Sequence, residues 1–119
     1  MKGITHILSV GDFEIKRYED EFTYIKFAVG DAPDQDISQF FEESNAFVTR
    51  CLEDGGKVLI HCAAGISRST TVLCAYLMKT TGQNLDDVLK HVRTKRPIAT
   101  PNMGFREQLK KYQAELGIE

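Results

Sequence analysis

The chain has 119 residues, 42% of them hydrophobic, enough for one core, so a single domain spanning residues 1–119 is expected. Its 15 Lys and Arg against 17 Asp and Glu give a net charge of -2, which excludes a protein whose main business is coating DNA, RNA or an anionic membrane. No apolar stretch approaches the ~18 residues of a bilayer span.

Met1 to Val10 reads as a short strand rather than a signal peptide, because polar residues interrupt it. Within it, Thr5 to Val10 carries alternating β-branched residues and predicts a strand ending at Gly11. Asp12 to Glu21, charged and irregular, predicts an exposed loop. Phe22 to Val29 is rich in aromatic and β-branched residues and predicts a second strand closed by Gly30. A polar loop follows, carrying the carboxylates Asp31, Asp34 and Asp36.

Ile37, Phe40, Phe41, Phe47, Val48, Cys51 and Leu52 recur at helical spacing, interrupted only by Ser44, and predict an amphipathic helix. Asp36 and Gln39 have capping-box spacing, and Gly55-Gly56 stops the helix. Lys57 to Cys62 is a compact apolar run, as in a strand covered on both faces. Ser69 to Lys79 is nearly all apolar and predicts a helix in the middle of the domain. Asn84 caps a further helix through Val88, Leu89 and Val92, ended by Pro97. Asn102 leads into a last helix with Phe105, Leu109, Tyr112 and Leu116 as its buried stripe. This order predicts an α/β fold with a small, mainly parallel central sheet flanked by helices.

The segment His61-Cys62-Ala63-Ala64-Gly65-Ile66-Ser67-Arg68-Ser69 joins a buried strand to a buried helix. A loop of that length can curl so that successive backbone N–H groups point into one concavity, a nest for a tetrahedral dianion. The following helix adds the positive end of its dipole. Gly65 permits the backbone angles such a curl needs, and Ala63 and Ala64 leave room at the rim. Arg68 ends the curl, where its fork can bind two phosphate oxygens at once. Cys62 then sits at the bottom of a positive cup that favours the thiolate, placed for in-line attack on phosphorus. The Cys-x5-Arg spacing alone is weak evidence. Its weight comes from the strand before it, the glycine within it and the helix after it; neither Cys51 nor Cys74 has an arginine at the matching place.

The stretch Val58 to Ser69 resembles the cysteine-based protein tyrosine phosphatase superfamily, and closely the dual-specificity phosphatases. Ala75-Tyr76-Leu77-Met78, Val92-Arg93, Arg96-Pro97, Pro101-Asn102-Met103-Gly104-Phe105, Gly3 to Leu8 and Phe40-Phe41 extend the resemblance over nearly the whole chain. It implies that Cys62 is the nucleophile, and that Arg68 and the amides of Ala63, Ala64, Gly65, Ile66, Ser67 and Arg68 hold the phosphate. By the same resemblance, Ser69 is the hydroxyl that donates to the sulfur and helps it leave. His61 orders the loop and tunes the cysteine, and the side chain of Asn102 braces the loop.

A leaving oxygen needs a proton from another loop. The resemblance points to Asp31, with Asp34 as runner-up and Asp36 better explained as a helix cap. No metal or cofactor is implied. The expected substrate is a phosphorylated protein carrying phosphotyrosine and also phosphoserine or phosphothreonine. A phosphatase of phosphoinositides, RNA 5′ ends or phosphoglucans and a phosphopeptide-binding pseudoenzyme are the competing readings. Family members carry residues ahead of the segment that opens here at Met1, a strand among them, so a shortened sheet edge is expected.

The remaining candidates read as structural. Three cysteines are an odd number with no C-x-x-C pair, which argues against a disulfide framework and for a reducing, cytoplasmic setting. Cys51 and Cys74 lie on apolar helix faces, and His6 and His91 lack a metal-ligand pattern. Arg93, Lys95 and Arg96 form a small basic cluster, read as a solvated helix end and secondarily as an attractor of acidic substrate flanks.

Overall fold

The structure, a computed structural model, describes residues 3–11, 22–62 and 66–119. The predicted loop Asp12 to Glu21 lies outside them. Three short strands, β1 (His6–Val10), β2 (Thr23–Phe27) and β3 (Val58–His61), form a parallel sheet in the order β2-β1-β3. In this register Leu8 stands between Ile25 and Ile60, and Ser9 between Lys26 and His61. Parallel pairing requires crossovers, and helix α1 (Phe41–Glu53) lies on the one from β2 to β3.

Helix α2 (Arg68–Thr81) follows β3 directly, and α3 (Leu85–Lys95) and α4 (Met103–Glu115) complete the chain. As its composition predicts, α2 is the central helix: it packs against α1, α3, α4 and the sheet. Val72, Cys74, Ala75 and Met78 are buried there among Leu8, Phe41, Phe105 and Leu109. Asn84 and Asn102 cap α3 and α4, each side-chain oxygen accepting the amide three residues on at 2.9 Å.

Three expectations change. The helix predicted from Ile37 begins as a 3-10 turn, Ser38–Phe40, before α1 starts at Phe41. Asp36 Oδ1 does accept the Gln39 amide, at 3.3 Å, but Gln108 Oε1 of α4 accepts both the Ile37 and Ser38 amides at 2.9 Å. A side chain distant in sequence therefore fixes this entry. Leu52, expected on the buried stripe, is 47% exposed. Ser44 and Asn45 are buried instead, the Ser44 hydroxyl donating to the Phe41 carbonyl and Asn45 Nδ2 to the Tyr112 hydroxyl, at 3.0 Å each. Finally, β3 is half-buried along its length rather than covered on both faces, and among the described residues it pairs only with β1.

Glu42 joins α1 to two other helices, accepting from Lys79 of α2 and from the Tyr112 hydroxyl of α4. The Lys79 hydrogen bond, then that from Tyr112, holds its carboxyl below the usual carboxylate range. A depressed folded-state pKa contributes stability above the unfolded value and loses it as pH falls through the folded one. Glu42→Gln is expected to leave a less steep fall of Tm on acidification below about pH 4.5, the unfolded value from which the folded one is lowered. The loss should stay under about 1 kcal/mol, because the pair is exposed. Thermal melts of both proteins across the acid range check this.

Candidate active site

Strand β3 ends at His61, so Cys62 emerges from the sheet edge facing the start of α2. The buried Cys62 Sγ lies 3.4 Å from the Ser69 amide, which donates to it, and 3.3 Å from Ser69 Oγ. In the thiol form the sulfur donates to that hydroxyl; in the thiolate form the hydroxyl donates back. One residue in the first turn of a helix thus offers two donors to a sulfur anion, beside the positive end of the helix.

Of the predicted phosphate nest, Ala63, Ala64 and Gly65 lie outside the described residues. The rest of the loop is held at several points. The Ile66 carbonyl accepts the Thr100 amide at 2.9 Å, and Ser67 Oγ accepts the Asn102 amide at 2.9 Å. The Ser67 carbonyl takes both the amide and, at 2.7 Å, the hydroxyl of Thr71. Ser67 stands at the N-cap of α2, yet its hydroxyl serves Asn102 rather than its own helix. The first turn of α2 is left without a side-chain cap.

Arg68 is 7% exposed, and its Nη1 donates to the Val29 carbonyl at 3.1 Å. Its guanidinium is therefore held inside the domain, at the root of the loop that carries the three carboxylates.

Within that loop, Asp31 Oδ1 accepts from Asn102 Nδ2 at 2.9 Å. Asp36 binds the Ser38 hydroxyl and the Gln39 amide, the capping role expected of it. Asp34 is exposed. Asp31, exposed like Asp34, is the one of the three that bonds Asn102, whose amide donates to Ser67 Oγ.

Asn102 plays that part differently from the expectation. It reaches the loop through its backbone N–H, while its side chain spans from Asp31 to the Phe105 amide. A backbone donor serves the loop because the side chain has two other partners.

His61 Nε2 shares a 2.7 Å hydrogen bond with Ser9 Oγ on β1, across the register that pairs these residues. Burial lowers its pKa, which favours the neutral ring.

Two contributors escape a reading of the sequence for chemistry. Ser9 is fully buried; its signal is a hydroxyl at the apolar end of a strand. Gly104 lets α4 touch the acidic loop: a Cβ there would stand 2.0 Å from the Pro33 carbonyl oxygen. Its signal is a glycine in the first turn of a helix, where no turn calls for one.

With this geometry in place, comparison with known proteins is decisive. Residues 1–115 match the family model described as the dual specificity phosphatase, catalytic domain. The chain belongs to that family. It is 43% identical over 109 residues to mouse dual specificity protein phosphatase 15, covering 92% of this chain and 46% of the relative. The chain thus spans about half the length of the curated relatives it matches. Among solved structures it is similar to the human tyrosine phosphatase-like serine/threonine/tyrosine-interacting protein, with a TM-score of 0.92, 36% identity, and coverage of 95% of this chain and 78% of that one. A mouse putative dual specificity phosphatase complexed with zinc tungstate gives a TM-score of 0.90, 35% identity and coverage of 96% and 72%. The small parallel sheet flanked, among the described residues, by four α-helices is the fold of this family.

Gly104→Ala should force the Pro33 loop and α4 apart, costing about 1–3 kcal/mol as overpacked sites do. The amides of Asp31 and Asn102 should shift together in a two-dimensional NMR spectrum. Asn102→Ala should cost about 1 kcal/mol for the lost cap, read from urea melts, while Asn102→Asp should recover only part of it, because its carboxylate can still cap α4 but now faces the Asp31 carboxylate that Nδ2 had bonded.

Proposed function

We propose that this domain hydrolyses phosphate monoesters on proteins, at phosphotyrosine and also at phosphoserine or phosphothreonine, through a phosphocysteine intermediate. The observation that carries this reading is the placing of Cys62 Sγ against both donors of Ser69 at the head of a buried helix. Membership of the dual specificity phosphatase family supports the same chemistry.

In the first step the Cys62 thiolate attacks phosphorus and forms a P–S bond while the ester P–O bond breaks. Asp31 gives its proton to the leaving oxygen. Arg68 and the loop amides carry the charge on the three equatorial oxygens, where most of the catalysis of phosphoryl transfer resides. In the second step water attacks phosphorus, its proton passes to the Asp31 carboxylate, and the P–S bond breaks. The Ser69 hydroxyl then donates to the departing sulfur, and inorganic phosphate leaves.

Ala63, Ala64 and Ile66 place no side-chain charge on the loop, which suits a single phosphate rather than the crowded phosphates of an inositide. A binding module without catalysis is countered by the retention of both Cys62 and Arg68.

The test is phosphate release from an aryl phosphate, followed against pH. An optimum at mildly acidic pH is expected, since Cys62 must be ionised while Asp31 is protonated. Cys62→Ser should abolish release, and Arg68→Ala should lower kcat/KM by at least ~10²–10³. Asp31→Asn should flatten the alkaline limb of kcat. Turnover unaffected by Cys62→Ser would refute the nucleophile, and an unchanged profile in Asp31→Asn would refute the acid.

A further inference from the structure

The basic cluster that the sequence presents as one run, Arg93-Thr94-Lys95-Arg96, is divided by the fold. Lys95 and Arg96 border a groove beside Ser69 and Thr70. Arg93 turns the other way, into a separate hollow of about 420 Å³ between α3 and α4. There it meets Lys90 from its own helix and Arg106 and Lys110 from α4. The spacings explain the grouping: residues 86, 90 and 93 share one face of α3, and residues 106 and 110 share one face of α4.

Four cations line this hollow, against one lining carboxylate, Asp86, with Glu107 standing 3.7 Å from Lys110 at its edge. Like charges brought together across two helices repel. Two further details concern the arginines. The Arg106 Nε is buried and has no hydrogen-bond partner, a state that buried donors rarely keep. The Arg93 Nε donates to the Ala99 carbonyl at 2.9 Å, which fixes the guanidinium and leaves its terminal nitrogens for another acceptor. The buried Leu85 and Leu89 line the same hollow, and apolar surroundings strengthen charge interactions.

We propose that the α3–α4 hollow is a second oxyanion site, selective for a phosphate-type group, distinct from the Cys62 loop and sharing no residue with it. Two guanidiniums and two ammoniums suit a multiply charged tetrahedral head better than a single carboxylate. Free phosphate compounds and a phosphorylated protein side chain present that same head.

The test uses the Cys62→Ser chain, which excludes turnover, and reads the Arg93 and Arg106 Nε–H resonances by ¹⁵N NMR. These report the hollow separately from any binding at Ser69. Titration with inorganic pyrophosphate should shift both resonances saturably, with a Kd on the order of 1 mM. Sodium chloride at matched ionic strength should not. Saturation by pyrophosphate assigns the site to free oxyanions, and saturation by a phosphoserine peptide alone assigns it to a protein-borne phosphate. Arg106→Gln should weaken binding about tenfold. Lys90→Gln, at an exposed position that cannot disturb the core, should weaken it about threefold. Linear, salt-like shifts with both ligands, or affinities unchanged in both variants, would overturn the proposal.

Discussion

The approach of one sulfur to one serine governs this molecule. Cys62 leaves a parallel strand at its carboxyl end, and Ser69 sits in the first turn of the helix that follows. The contacts between them, amide to sulfur and hydroxyl to sulfur, hold only if β3 and α2 keep their relative position. The rest of the fold secures that position. Leu8 between Ile25 and Ile60 fixes the sheet, and the apolar length of α2 anchors the helix among its three neighbours.

Around that contact, the chain ties together segments remote in sequence. Arg68 bonds the backbone where β2 ends, and Asp31 two residues later bonds Asn102 at the head of α4. Asn102 in turn holds Ser67, and Thr100 holds Ile66. The loop carrying Asp31, the segment after Cys62 and α4 therefore form one hydrogen-bonded frame, and Gly104 permits its close packing against Pro33. Arg93 extends the frame to α3 by holding the Ala99 carbonyl. Such a frame fits a reaction whose rate rests on the fixed placing of donors rather than on induced change.

Much of this was legible in the sequence, because it follows local rules. The caps Asn84 and Asn102, the apolar run before Cys62 and the buried character of α2 are set by propensity and periodicity, and the structure keeps them. What could not be read depends on contacts across the fold. Gln108 of α4 bonds the turn ahead of α1, the buried Asn45 bonds Tyr112 of α4, and Ser9 becomes the partner of His61 only through strand register. The division of the Arg93 to Arg96 cluster between two faces is of the same kind, since it depends on how α3 lies against α4. Asn102 shows both sides: its importance was visible, while the exchange of roles between its side chain and its backbone was not.

The central claim is that a covalent bond forms between Cys62 and phosphorus. Rapid acid quench of the enzyme during turnover of an aryl phosphate, followed by mass spectrometry of the peptide that contains residue 62, observes it directly. The peptide should carry one added phosphoryl group, bound to sulfur, that accumulates and then decays as substrate is exhausted. Phosphate released at full rate with no phosphoryl group ever captured on that peptide, or one captured on a different residue, would contradict the account.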